Sequence, residues 1–137
     1  MTEDPRYGVF YGWGVVEPVA DADRADEAID VLMTRYGPTG HLVFGGFGPL
    51  LPDGSCQPVL DIAISHDDAA ACLKWGESVA VEPCFTALPD EPRRFDDGVA
   101  DVIEIPAEDL AVSRGRARRA VHEYLRTGRR PTCVEWR

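Results

Sequence analysis

Histidine and cysteine, the side chains that most often bind metals or act as nucleophiles, show no catalytic spacing in this chain. None of His41, His66 and His122 lies in an H-x-x-x-H or H-E pattern of the kind that binds zinc. The four cysteines form no C-x-x-C pair. A pair such as Cys133 with His122 could meet in space, but any chain with four cysteines offers such pairs. We expect no catalytic residue, no metal and no cofactor, and we interpret the cysteines as reduced thiols.

Three further patterns invite a chemical interpretation. Residues 45–48 (GGFG) resemble a phosphate-binding loop, but no G-K-[ST] follows, and residues 49–52 (PLLP) cannot begin a helix that would bind a phosphate. We interpret them as a bulged strand end. Ser78 lacks the second glycine of a nucleophile elbow. The acid pairs at 67–68 and 96–97 lie in turn sequences, where Asp is common for backbone reasons.

Charge is distributed unevenly along the chain. The sequence carries 24 acidic and 14 basic residues, a net charge of -10. Residues 1–112 have a net charge of -16, whereas residues 113–137 have a net charge of +6. An acidic body repels nucleic acid and anionic membranes, and it speeds association with a basic partner. Residues 114–119 (RGRARR) are typical of a nucleic-acid contact, although internal ion pairs with the acidic body also account for them.

The length and hydropathy of the chain limit the number of domains and of membrane-spanning segments that it can contain. Its 137 residues suit a single domain over 1–137 with one core. No apolar run approaches the roughly 18 residues that a membrane-spanning helix needs. Residues 1–6 (MTEDPR) lack the basic and then apolar pattern of a secretory signal. We therefore expect a cytoplasmic protein without membrane contact.

The hydrophobic periodicity predicts two main helices, one near each end of the chain, with strands between them. Residues 21–36 have apolar side chains on one helical face, an Asp at the start and Gly37-Pro38 after the end. Ser113 would cap a second helix that runs to Arg126, with Gly128 after it. Pro18 would end the first strand. The alternating segments that predict strands are 7–16, 41–47, 57–65, two within 71–84, 99–105 and 132–136.

Short connections between the strands favour antiparallel pairing. The helices are separated from the run of strands rather than alternating with them. The fold class is therefore predicted as α+β, with a single, mostly antiparallel sheet of about 5–7 strands. Residues 89–92 and 96–98 are predicted to bracket a polar loop.

The C-terminal segment resembles a known family. Residues 105–106 (IP), 120–131 (AVHEYLRTGRRP) and 134–136 (VEW) resemble the closing signature of the type-one Imm immunity proteins of bacterial polymorphic toxin systems. In that family an AV-x-x-[FY]-L-x-TG-x-RP-x-x-V-x-W ending follows a strand that finishes in [VI]-P. We expect these residues to be structural, because they end the helix and offer a large anchor for the last strand. The motif residues are Tyr124, Leu125, Thr127, Gly128, Pro131, Val134 and Trp136.

The resemblance implies an immunity protein that binds and neutralises a cognate toxin, with nucleic-acid deaminases among the usual partners. Such a toxin has a basic substrate cleft that an acidic protein can fill, so we expect a monomer in a one-to-one complex. Tyr11 and Trp13 are candidate anchors, although the core is the better expectation for both. Exposed acids in turns and loops are the expected contacts, namely Asp53, Asp67, Asp68, Glu77, Asp90, Glu91, Asp96 and Asp97.

Two other functions stay open at this point. One is a nucleic-acid-binding regulator that uses the basic C-terminal helix, and it predicts an affinity for DNA or RNA that depends strongly on salt. The other is a small enzyme of an unrecognised class. It requires a cleft in which a His or Cys side chain meets a carboxylate and the pKa of one of them is shifted.

Overall fold

A computed structural model describes residues 6–12, 15–97 and 101–137. Two α-helices, α1 (Ala22–Leu32) and α2 (Arg114–Thr127), lie near the two ends of the chain. A 3-10 turn spans Ala107–Asp109. The strands are β1 (Tyr7–Phe10), β2 (Val16–Val19), β3 (Leu42–Val43), β4 (Gly45–Pro49), β5 (Leu60–Ala63), β6 (Ala70–Trp75), β7 (Ser78–Val81), β8 (Arg93–Asp96), β9 (Val102–Ile105), β10 (Val112–Ser113) and β11 (Glu135–Trp136).

The strands form a large and a small sheet. The large sheet has eight strands in the order β11-β7-β6-β5-β4-β1-β2, and β10 pairs with β6. All of its pairings are antiparallel. The small sheet has the order β3-β8-β9, with β3 parallel to β8. The predicted α+β class, with two helices and a mostly antiparallel sheet, is confirmed; the small sheet was not predicted.

The large sheet separates two cores. Along β5 and β6, alternate residues such as Leu60, Ile62 and Leu73 join the cluster that contains the buried faces of both helices. Their neighbours, such as Ala63 and Cys72, join a smaller cluster with residues of β3, β8 and β9. Successive side chains of a strand point to opposite faces of its sheet. The helices therefore cover one face of the large sheet, and the small sheet covers the other.

Both helices begin at side chains that the sequence indicated. The Asp21 carboxylate accepts a hydrogen bond from the backbone N–H of Arg24, and the Ser113 hydroxyl accepts one from the N–H of Arg116. Each cap satisfies a backbone donor that has no partner within the helix. α1 ends at Leu32, earlier than the predicted Tyr36. α2 ends at Thr127, and the residue after it, Gly128, adopts the left-handed conformation with φ +69°.

The predicted course of the chain was wrong at several places. Residues 7–16 were predicted as one strand, but β1 ends at Phe10 and its antiparallel partner β2 begins at Val16. Residues 41–47 form two strands, because the chain leaves the small sheet after Val43 and enters the large one at Gly45. Pro18 does not end a strand but lies within β2, at the edge of the large sheet, where a missing N–H is tolerated. Residues 93–96, predicted as part of a polar loop, form β8.

No helix among the described residues is long and apolar enough to cross a membrane.

The left-handed turn at Gly128 gives the first testable prediction. A Cβ at this position would lie 2.6 Å from the Tyr7 hydroxyl, and its backbone conformation is strained for any L side chain. Gly128→Ala should lower the free energy of unfolding by about 1–2 kcal/mol in urea titrations. Gly115→Ala is the matched control, because its Cβ would meet nothing within 4 Å. The control should leave stability unchanged or raise it slightly. Equal losses in both variants would contradict the prediction.

Candidate functional site

The basic stretch of α2 is largely used inside the chain. The Arg118 guanidinium donates to Asp26 Oδ1 and to Asp30 Oδ1, each over 3.0 Å. His122 Nε2 lies 2.8 Å from the same Asp26 oxygen. The Arg116 guanidinium donates to the carbonyl oxygen of Cys133 over 2.8 Å. These contacts join α2 to the acidic α1 and to the C-terminal segment, as expected for internal ion pairs.

Asp26 is the shared acceptor of the contacts between the helices. Partial burial by itself would raise the pKa of its carboxyl, but hydrogen bonds from Arg118 and His122, and the charges of both, outweigh that effect. The pKa of Asp26 is therefore lowered from its ordinary value. The carboxylate form is the one that binds the two helices together.

Glu123 ties the C-terminal segment to α2. Its carboxylate accepts hydrogen bonds from the backbone N–H and hydroxyl of Thr132, over 2.6 and 2.9 Å, and from the N–H of Cys133 over 3.1 Å. Burial would raise the pKa of Glu123, but these hydrogen bonds lower it overall. Trp136 Nε1 donates to the carbonyl oxygen of Pro131 over 2.8 Å, and the Arg130 guanidinium lies over its ring. Together these contacts hold β11 against β7 and α2.

The motif residues contact the fold rather than forming an open site. Tyr124 is buried, and its ring makes edge contacts with Tyr7 and Trp75 at centroid distances of 5.1 and 5.7 Å. Val134 is buried and Leu125 is half-buried against the same core. The Thr127 hydroxyl donates to the carbonyl oxygen of Glu123 at the end of α2. Every one of these contacts is internal to the chain.

Three of the four cysteines lie in surroundings that disfavour reactivity, whereas Cys84 is exposed. Burial raises the pKa of the Cys72 thiol to about 12, and burial also raises the pKa values of Cys56 and Cys133. A thiol with a raised pKa is a poor nucleophile at neutral pH because its thiolate is scarce. His66 Nδ1 lies 2.9 Å from the backbone carbonyl oxygen of Met33. Among the described residues, no group of three or more His, Cys, Asp or Glu side chains is placed to hold a metal ion.

A groove of about 350 Å³ lies between the small sheet and the loop that joins β5 to β6. A neighbouring depression shares His41, Arg93 and Arg94 with it and is also lined by Glu91 and Glu104. We call the two together the small-sheet groove. The residues that line its deeper part include Tyr36, His41, Leu42, Asp67, Asp68, Arg93, Arg94 and Phe95.

Two long-range contacts fix the walls of the small-sheet groove. The Arg93 guanidinium donates from Nε and Nη2 to the two carboxylate oxygens of Asp68, over 2.8 and 3.1 Å. This bidentate pair joins β8 to the β5–β6 loop. On the other wall, the backbone N–H and hydroxyl of Thr39 donate to Asp96 Oδ2. The loop that carries Tyr36 to His41 is thereby held against β8.

The acids predicted as partner contacts are divided between the two ends of the large sheet. Asp67 and Asp68 follow β5 at the end where Ala63 pairs with Cys72. Glu77 lies at the opposite end, in the turn after Trp75. Asp53 also lies at that opposite end, in the turn closed by the Leu50 and Cys56 bridge. Only Asp67, Asp68 and Glu91 line the small-sheet groove, with Asp90 next to Glu91.

The prediction that Asp96 is an exposed turn acid was wrong. Asp96 is fully buried in β8, where Thr39 donates to its carboxylate. Asp97 is half-buried, and its Oδ1 accepts a hydrogen bond from the backbone N–H of Asp101. The candidate anchor Tyr11 is also buried, with its hydroxyl 3.2 Å from Glu17 Oε2. The other candidate anchor, Trp13, lies outside the described residues.

The sequence did not reveal Thr39, Arg93 or Glu123 as important positions. The partner of Thr39 is 57 residues away, and that of Arg93 is 25 residues away. No local pattern signals either pairing. Glu123 is the exception. It lies one helical turn before Thr127-Gly128, where the helix ends and the chain turns back towards the last strand. An acid at such a position indicates a carboxylate that accepts hydrogen bonds from the returning segment.

Comparison with known proteins gives one match. A family model described as "Immunity protein Imm1" matches residues 13–137. No curated protein matches the sequence at a significant level.

Substitution of two adjacent arginines on α2 tests whether the internal ion pairs stabilise the fold. Arg118 contacts Asp26 and Asp30, whereas Arg119 is exposed and makes no such pair. Arg118→Ala should lower the free energy of unfolding by about 1 kcal/mol, because Asp30 loses this partner and Asp26 keeps only its contact with His122. Arg119→Ala should change it by less than about 0.5 kcal/mol. Urea titration of both variants checks this, and equal effects would show that the pairs do not stabilise the fold.

The lowered pKa of Asp26 predicts a pH dependence. Its carboxylate stabilises the fold at pH values above the ordinary Asp pKa of 3.8, and this contribution is lost as the pH falls through the lower pKa of the folded state. Asp26→Asn should therefore be less stable than the unmodified chain at pH 6. The difference should shrink between about pH 4 and pH 2. Glu27→Gln, an exposed position on the same helix, is the control. A difference independent of pH would refute the assignment.

Proposed function

We propose that this chain binds and neutralises a toxin that acts on nucleic acid. The first support is that the chain belongs to the Imm1 family of immunity proteins. The observation that carries the proposal is the distribution of charge in the fold. Arg118 of α2 is paired with acids of α1, and Arg114 and Arg116 donate to backbone carbonyl oxygens. Most acids remain exposed, including those of the turns at 53, 67, 77 and 90–91.

The charge distribution suits a partner with a basic surface. A toxin that acts on nucleic acid must neutralise phosphates, so its substrate cleft presents lysine and arginine. An acidic protein is drawn towards such a cleft and raises the rate of encounter. Covering the cleft then excludes the nucleic acid. A nucleic-acid deaminase, the activity that the sequence resemblance implies, is the specific toxin that we propose.

The remaining features of the proposal concern how the protein acts. We propose a monomer that forms a one-to-one complex with the toxin in the cytoplasm and works by binding, without catalysis. In support, burial raises the pKa values of the Cys56, Cys72 and Cys133 thiols, which makes these three residues poor nucleophiles. Direct binding of nucleic acid is the weaker alternative, because Arg116 and Arg118 already have partners within the chain.

A pull-down from the native host tests the proposal. The tagged full-length chain, at its native expression level, should recover a toxin in stoichiometric amount. Co-expression of the two in a test strain should restore growth that the toxin alone abolishes. Between 50 and 500 mM salt the association rate constant should fall by about tenfold or more, because complementary charge drives the encounter.

Two results would contradict the proposal. One is recovery of nucleic acid alone, which would favour a regulator that uses the exposed arginines of α2. The other is a toxin that remains lethal when this chain is co-expressed and folded. A catalytically inactive version of the toxin should still be captured, because inhibition by binding does not require turnover.

A further inference from the structure

We infer that the small-sheet groove is the surface on which the toxin docks, and that it receives a segment rich in lysine and arginine. The inference rests on the proposed function and names the interface for it. A complex of ordinary size buries about 800 Å² on each partner. The groove would then form the centre of the contact rather than all of it.

The shape of the groove provides an anchor and an apolar wall. Tyr36 is 60% exposed at its rim, a large exposure for an aromatic side chain. Leu42 and Phe95 line the deeper part, and both are buried in the small core. Tyrosine is enriched among the residues that dominate binding energy, and such residues lie next to well-packed apolar surface. The groove thus combines an exposed aromatic anchor with a floor at which only small parts of two packed core side chains, Leu42 and Phe95, are accessible.

The charge of the groove is acidic once its internal pairs are taken into account. Arg93 is neutralised by Asp68, and Arg94 lies 3.6 Å from Glu104. Asp67 and Glu91 remain exposed at the two ends of the groove, with only a histidine near Asp67. Asp90, next to Glu91, is also exposed. A cationic segment lying along the groove would meet a carboxylate at either end.

The groove is also preorganised. The Arg93 and Asp68 pair and the Thr39 and Asp96 pair fix its walls in the free protein. Binding to a surface that is already ordered costs less conformational entropy. By contrast, Asp53 and Glu77 lie in tight turns at the far end of the large sheet, and Asp53 uses its carboxylate to accept hydrogen bonds from Ser55. Neither of these two acids lines the small-sheet groove.

Charge reversal in matched pairs tests the inference. The probe is a catalytically inactivated toxin domain from the same locus, chosen because this chain relieves its lethality. Asp67→Lys with Glu91→Lys should raise the Kd by roughly a hundredfold. Tyr36→Ala should raise it by roughly thirtyfold. Asp53→Lys with Glu77→Lys changes the net charge by the same amount at the far end, and should raise the Kd by less than about threefold.

The controls separate folding from binding. Each variant should remain folded under the binding conditions, as checked by urea titration, since all five positions are exposed. A small decrease in the urea midpoint is expected for the Asp53 pair, which loses the hydrogen bonds from Ser55. Hydrogen–deuterium exchange of the unmodified complex gives an independent location for the interface. It should show protection in residues 36–42, 64–68 and 91–95.

Three outcomes would overturn the inference while leaving the proposed function intact. They are equal losses of affinity in the two charge-reversal pairs, a loss confined to Asp53 and Glu77, or protection confined to the exposed face of α1. In each case the unmodified chain still neutralises the toxin. Failure of the unmodified chain to bind any toxin from its locus would instead refute the proposed function.

Discussion

Opposite charges lie on two helices that share one face of the large sheet. This placement determines which charged side chains the protein presents to solvent and to a partner. α2 supplies the cations and α1 the anions, and Asp26 accepts from both Arg118 and His122. This pairing takes Arg118 and His122 out of the basic surface, although Arg119, Arg126, Arg129 and Arg130 remain exposed. The C-terminal segment is held separately by Glu123 and Arg116.

Local patterns predicted both helices and the two strands within residues 71–84, which form β6 and β7. The elements that were not predicted depend on partners that lie far away along the chain. The caps Asp21 and Ser113 and the Gly128 stop are local signals, and each is present in the structure. The change of sheet after Val43 has no local signal, because a run of apolar residues and glycines suits one strand as well as two. β8 was missed because the charged side chains of Arg93 and Arg94 hide the strand pattern, and because one of its partners, β3, lies far away along the chain.

The candidate site was less predictable than the fold for the same reason. A turn sequence indicates that an Asp is near the surface, but it does not indicate which turns meet. The structure brings Asp67 and Glu91 to one groove and leaves Asp53 and Glu77 at the far end. Asp96 shows where predicting surface exposure from a turn sequence fails. It is an acid in an Asp-Asp-Gly sequence, yet it is buried because a threonine 57 residues away satisfies it.

The proline in β2 has a consequence for the behaviour of the protein at high concentration. A sheet edge with free backbone donors and acceptors can extend into a second molecule, which leads to fibrils or swapped dimers. Pro18 removes one donor from one edge of the large sheet, and the strand at the other edge, β11, is only two residues long. Neither edge offers a long, regular template. The protein can therefore accumulate in excess without ordered self-assembly through its large sheet.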